Sequence, residues 1–209
     1  METGKQIAQT LLQIKAIKLS PANPFTWASG WHSPIYCDNR KTLSYPAARK
    51  QIYEAFAKII AEKYPQAEVI AGVATGAIAC GVLTAEALNK PFIYVRSAPK
   101  DHGMANQVEG YFEPGAKVVV VEDLISTGGS SLKAVEALRA AGCEVLGMVA
   151  IFTYGFPTAA ANFEKAGVQL DTLSNYNTLL ELAVEQNYIH ADELATLREW
   201  RQSPDTWNR

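Results

Sequence analysis

The stretch VVVVEDLISTGGSS, residues 118–131, sets two adjacent carboxylates after four branched apolar residues and before a loop of hydroxyls and glycines. Ionised Glu122 and Asp123 can only accept hydrogen bonds. Ser126, Thr127 and Ser130 supply hydroxyl donors, while Gly128 and Gly129 allow a tight bend and a close approach of backbone to ligand. The acids repel phosphate and the loop attracts it. A ribose 5-phosphate reconciles the two: its hydroxyls donate to the acids, and its phosphate lies further along, within reach of the loop. The plain alternative is a capped helix start after a strand with the acids in solvent. Two adjacent acids beside two adjacent glycines exceed what a cap requires.

This chemistry needs a strand that ends at the acids and a helix that begins just past the loop. Residues 117–123 read as the strand and residues 131–142 as the helix, with Leu132, Val135 and Leu138 on its inner face. The unpaired N–H groups and the dipole of a helix start favour an anion there. Around this unit the pattern alternates. Strands are expected at 69–75, 91–96, 144–154 and 168–173, and helices at 46–63, 77–89 and 157–166. Continuous apolar strands separated by helices imply an α/β fold with a parallel-type central sheet flanked by helices. Ligands of such sheets bind beyond the carboxyl ends of the strands, where Glu122 and Asp123 fall.

At the N-terminus, residues 3–19 read as one helix, with Ile7, Leu11, Ile14 and Ile17 near helical spacing. Residues 20–40 break every period and read as irregular structure with turns. Residues 97–110 lie between two strands without a hydrophobic period, as functional lids often do. Two amphipathic segments, NTLLELAVEQN and ADELATLREW, follow the last strand.

With 209 residues, 48% hydrophobic, the chain suits one domain with a sizeable core. A formal net charge of -2 gives no global pull toward nucleic acid or an anionic membrane. No apolar run reaches membrane-spanning length and the start lacks a signal-peptide pattern, so a cytoplasmic location is expected. Cys37, Cys80 and Cys143 are far apart and form no metal or disulfide framework. The nucleoside-triphosphate and dinucleotide glycine signatures are both missing.

VVVVEDLISTGGSS resembles the phosphoribosyl-pyrophosphate (PRPP) signature of type I phosphoribosyltransferases. YVRSAPKDHGMANQVEG (94–110) resembles the mobile catalytic loop of the orotate-specific family, and PFTWASGWHSPIYCDNR (24–40) its N-terminal hood. The three stretches occur in the family's order. The resemblance implies one phosphoribosyltransferase domain over 1–209, with a hood within about 1–45 and a core from about 46 to 209. It implies transfer of ribose 5-phosphate from PRPP to N1 of orotate, in pyrimidine (UMP) biosynthesis. Mg²⁺ is expected to ride on PRPP, with no direct protein ligand. A homodimer is implied, its catalytic loop reaching the neighbouring subunit. By the same resemblance Arg96, Lys100, His102, Glu122, Asp123, Leu124, Ile125, Ser126, Thr127, Gly128, Gly129 and Ser130 hold PRPP. Lys100 and Asp123 are the catalytic candidates, and Ser126, Tyr36 and Tyr154 line the orotate site.

Lys100, with Arg96, suits stabilisation of charge building on the departing pyrophosphate, and His102 suits its protonation. The chain also departs from the family's pattern. Ala28, Ser97, Thr75-Gly76 and Tyr154 stand where relatives carry basic or Tyr-Lys contacts, and Arg40, Lys41 and His32 are candidate replacements. A transferase for another base, or a PRPP-sensing regulator of the same fold, would share the opening motif.

Overall fold

The computed structural model describes residues 2–98 and 107–207. Its six-stranded sheet runs in the order β10 (Leu170–Asn175), β9 (Glu144–Thr153), β8 (Lys117–Ile125), β5 (Val69–Val73), β6 (Phe92–Val95), β7 (Val108–Glu109). Every pairing is parallel except that of β7, which returns antiparallel along β6. Val118 to Val121 have no exposed surface, as central parallel strands covered on both faces require. Each such valine contributes about 1.5–3 kcal/mol of burial.

Helices cover both faces. On one side α2 (Pro46–Lys63) packs on α3 (Ile78–Ala87), which packs on β5. On the other side α4 (Gly129–Ala140) packs on β8, β9 and α5 (Pro157–Lys165). α6 (Tyr176–Glu185) and α7 (Glu193–Gln202) are the two amphipathic segments. No helix among the described residues is long and apolar enough to cross a membrane.

The N-terminal region corrects the sequence reading. α1 covers Glu2–Gln13 only, and Ile17–Leu19 is a strand, β1. Lys15 takes a left-handed φ of 55°, and the Ala16 N–H closes back on the Leu11 carbonyl at 2.9 Å, ending the helix. Ile17 then pairs with Cys37 in β4 (Ile35–Cys37). The region expected to be irregular also holds β2 (Phe25–Thr26) paired with β3 (His32–Ser33), and a 3₁₀ helix at Asn39–Ser44. These short pieces form the hood.

Candidate active site

β8 runs past the acids. Leu124 and Ile125 still pair with Phe152 and Thr153 of β9, and α4 begins at Gly129. The expected strand end at 123 and helix start at 131 both move inward, leaving residues 126–128 as the turn. Gly128 is the N-cap of α4 at φ 81°. A Cβ there would lie 2.7 Å from Phe163 Cε2, so the position needs glycine for both conformation and space. Asn162 Nδ2 donates to the Thr127 carbonyl at 3.0 Å, tying the turn to α5. Ser126 and Thr127 are half-buried, and Gly129 and Ser130 are exposed at the helix start. Their first-turn N–H groups lack intrahelical partners. Ile125 is fully buried.

The two acids have different surroundings, although their carboxyl groups stay close enough to interact. Glu122 turns toward α4, where Oε2 accepts from Ser131 Oγ at 2.8 Å and Oε1 from the Asp123 N–H at 2.8 Å. Both oxygens have partners inside the protein. Burial, with the neighbouring Asp123 charge adding, pushes the Glu122 carboxyl up to about 8. Asp123 is only half-buried, and its carboxylate lies against the Cα of Gly76 in the turn leading to α3. A Cβ at position 76 would collide with that carboxylate. Gly76 in place of a lysine therefore leaves room for Asp123. The Asp123 carbonyl accepts from Asn39 Nδ2 at 2.6 Å.

Arg96 stands just before the 97–110 segment. Its N–H donates to the Gln107 carbonyl at 2.9 Å, and Gln107 Nε2 donates back to the Arg96 carbonyl at 2.7 Å. Arg96 Nη1 is 3.8 Å from Glu109 Oε1 and, among the described residues, is buried without a hydrogen-bond partner. Lys100 and His102 lie outside the described residues.

The hood sits on an aromatic cluster. Trp200 of α7, fully buried, donates its Nε1–H to the His32 carbonyl at 3.1 Å. Trp27 donates to the Ile35 carbonyl at 3.1 Å. Tyr154 is only 2% exposed, with ring centroids of Trp27, Phe156 and Trp200 at 5.1, 5.4 and 5.7 Å. Its ring is thus part of the hood's floor. Burial drives its phenol well above the ordinary range, with Cys37, Tyr176, Tyr36 and Asp123 adding. Tyr36 is 39% exposed, its ring 5.8 Å from that of Phe25.

Among the replacement cations, Arg40 is held by Asp38 through two bonds, at 2.7 and 3.1 Å. Asp38 raises its pKa first, with Tyr36 and Asp123 contributing, so the guanidinium lies within electrostatic range of both site groups. Lys41 spends its ammonium on the Lys15 carbonyl at 3.1 Å. His32 is exposed. Sequence reasoning missed Asn39, Ser131 and Trp200. None lies on a period that announces it, and each acts on a partner far away or around a turn.

A three-residue turn from a parallel strand into a helix, with an acid over it, marks a class. Residues 42–174 match the family described as the Phosphoribosyl transferase domain. A curated relative from Porphyromonas gingivalis, named orotate phosphoribosyltransferase, is 62% identical over 204 residues, covering 98% of this chain and 97% of that one. Another of that name, from Cytophaga hutchinsonii, is 56% identical over 209 residues and covers all of both chains. The crystal structure of orotate phosphoribosyltransferase from Aeropyrum pernix superposes with a TM-score of 0.76 at 29% identity, covering 88% of this chain and 99% of that one. The chain belongs to the orotate phosphoribosyltransferase family.

Proposed function

We propose that Asp123, the 126–130 turn, Arg96 and Lys100 carry out the family's reaction on this chain: ribose 5-phosphate passes from PRPP to N1 of orotate. N1 bonds to C1′ of the ribose as the C1′–O bond to pyrophosphate breaks, and pyrophosphate leaves with the bonding pair. The product is orotidine 5′-monophosphate, an intermediate on the way to UMP, and the enzyme is a pentosyltransferase of class EC 2.4.2.10.

The observation that carries this reading is the turn itself. Residues 126–128 turn β8 into α4 and bring the hydroxyls of Ser126 and Thr127 next to the first-turn N–H groups of α4, while the Asp123 carboxylate stands a few residues back beside Gly76. The 5-phosphate binds the former and the ribose hydroxyls the latter. Glu122 supports from behind, locked to Ser131. Arg96 Nη1, which among the described residues has Glu109 at 3.8 Å but no hydrogen-bond partner, suits the pyrophosphate. Lys100 is the first choice for stabilising charge on the departing oxygens. Its removal would cost about two to four orders of magnitude in rate, on the scale of losing one oxyanion donor. Orotate lies under the hood against Tyr36, with Ser126 and the Tyr154 hydroxyl nearby.

Mg²⁺ fits this donor set. It keeps waters and phosphate oxygens and takes few carboxylates. Among the described residues no group of three or more His, Cys, Asp or Glu forms a cage, and Asp123 offers one half-buried carboxylate. Asp123 would reach the ion through water, and the ion, when bound, neutralises charge on the pyrophosphate. The reading extends to a cytoplasmic homodimer whose loop reaches the neighbouring site, on the strength of the loop's resemblance to the family.

The test is turnover of orotate, uracil and purine bases with PRPP and Mg²⁺. Orotate is expected to be consumed with release of pyrophosphate. Consumption of another base instead, or PRPP binding without turnover, would overturn the proposal.

A further inference from the structure

We infer that Asn39 is a positioning residue that sets the distance between the hood, which holds the base, and Asp123, which holds the ribose. The inference rests on the function proposed above. Asn39 is 2% exposed and stands where β4 gives way to the 3₁₀ helix. Its side chain works in two directions. Nδ2 donates to the Asp123 carbonyl at 2.6 Å, and Oδ1 accepts from Cys37 Sγ at 3.3 Å. Its own carbonyl accepts from Thr42 Oγ1 at 2.6 Å, so the residue is held at the backbone as well.

The place of the bond on β8 gives it meaning. Pairing of β5 with β8 ends at Gly72 opposite Val121. Two residues later the ladder on that side is finished, and the Asp123 carbonyl no longer has a strand to meet. The Asn39 amide takes that position. A buried carbonyl needs such a partner, but this carbonyl belongs to the residue whose carboxylate faces the sugar. The other end is covalent: Asn39 follows β4, the hood strand that carries Tyr36, by two residues, and the weak Cys37 contact only adds to that tie. One side chain therefore joins the base-holding strand to the ribose-holding strand across 84 residues of sequence.

Transfer between a base and a ribose depends on alignment of N1 with C1′. Each ligand can still bind when the two halves drift, but the reacting atoms no longer meet. A misplacement of about 1 Å costs on the order of a hundredfold in rate. The signature of Asn39 is thus a loss in kcat with binding retained.

The experiment measures kcat by steady-state kinetics, and the dissociation constants of PRPP and of orotate by calorimetry, for wild type, Asn39→Ala and Cys37→Ala. Asn39→Ala is expected to lower kcat by about 10- to 100-fold, with both dissociation constants within about threefold of wild type. Cys37→Ala removes only a weak S–H donor and leaves the bond to Asp123, so its kcat should stay within about twofold. If Asn39→Ala does not fold, Asn39→Ser answers the same question, because serine is small and polar but too short to reach the Asp123 carbonyl. An unchanged kcat in a folded position-39 variant, or a loss confined to affinity, overturns the inference while orotate turnover by wild type stands. Absence of orotate turnover in wild type overturns the proposed function and this inference together.

Discussion

The turn after β8 and the hood are fixed in different ways. The turn spans three residues, and its restraints come from the elements it joins or from the helix beside them. Asn162 holds the Thr127 carbonyl, Phe163 packs on Gly128, and Ser131 locks Glu122. The hood spans roughly twenty residues of two- and three-residue strands, and its anchor comes from the far end of the chain, through Trp200 and the aromatic rings around Tyr154. In the proposed function, phosphate recognition rides on backbone that the parallel sheet already places, and base recognition on the docking of the last helix. Damage to one should be separable from damage to the other.

The largest effect is expected at the hood's anchor. Trp200→Ala removes a fully buried indole and should cost about 3–5 kcal/mol of stability, read by denaturant unfolding. In protein that remains folded, the KM for orotate should rise more than that for PRPP. Equal rises would mean the two regions are not independent. The reciprocal change is Gly128→Ala. A left-handed φ of 81° and a methyl 2.7 Å from Phe163 oppose it, with an expected cost of about 1–3 kcal/mol. Here PRPP affinity should fall while orotate binding holds, which titration of each ligand would show.

A smaller effect is carried by pH. The Glu122 carboxyl sits at about 8 in the folded protein because it is buried, against about 4.3 unfolded. Folding thus favours its neutral form. That contribution is complete below about pH 4 and is lost as pH rises toward about 8. Glu122→Gln keeps a neutral group and removes this part of the slope. Stability of the ligand-free wild type relative to Glu122→Gln should decline from about pH 5 to about pH 8. A constant difference across that range would mean Glu122 is ionised throughout.

The same contrast explains what could be read from the sequence. The β8–turn–α4 unit was legible because strand, acids, turn and helix follow one another in order, and their mutual geometry is local. The parallel sheet was legible from its continuous apolar runs. The hood was legible only through its resemblance to a family. Strands of two residues carry no period, and Ile17 fell on helical spacing although it pairs with Cys37, twenty positions on. Tyr154 looked available for a ligand because the rings that enclose it come from Trp27 and Trp200, both distant in sequence. The acids differ in a way that their adjacency did not announce: Glu122 is buried and bonded to Ser131, whereas Asp123 is half-buried beside Gly76.

That difference is the centre of the proposed function, in which Asp123 rather than Glu122 takes the ribose of PRPP. Calorimetric titration of PRPP, with Mg²⁺, into Asp123→Asn and Glu122→Gln side by side tests it directly. Asp123→Asn should weaken binding by about 10- to 100-fold, the scale of hydrogen bonds to a charged group, and Glu122→Gln by less than about threefold, since the amide can keep both internal bonds. An equal or greater loss in Glu122→Gln would contradict the account.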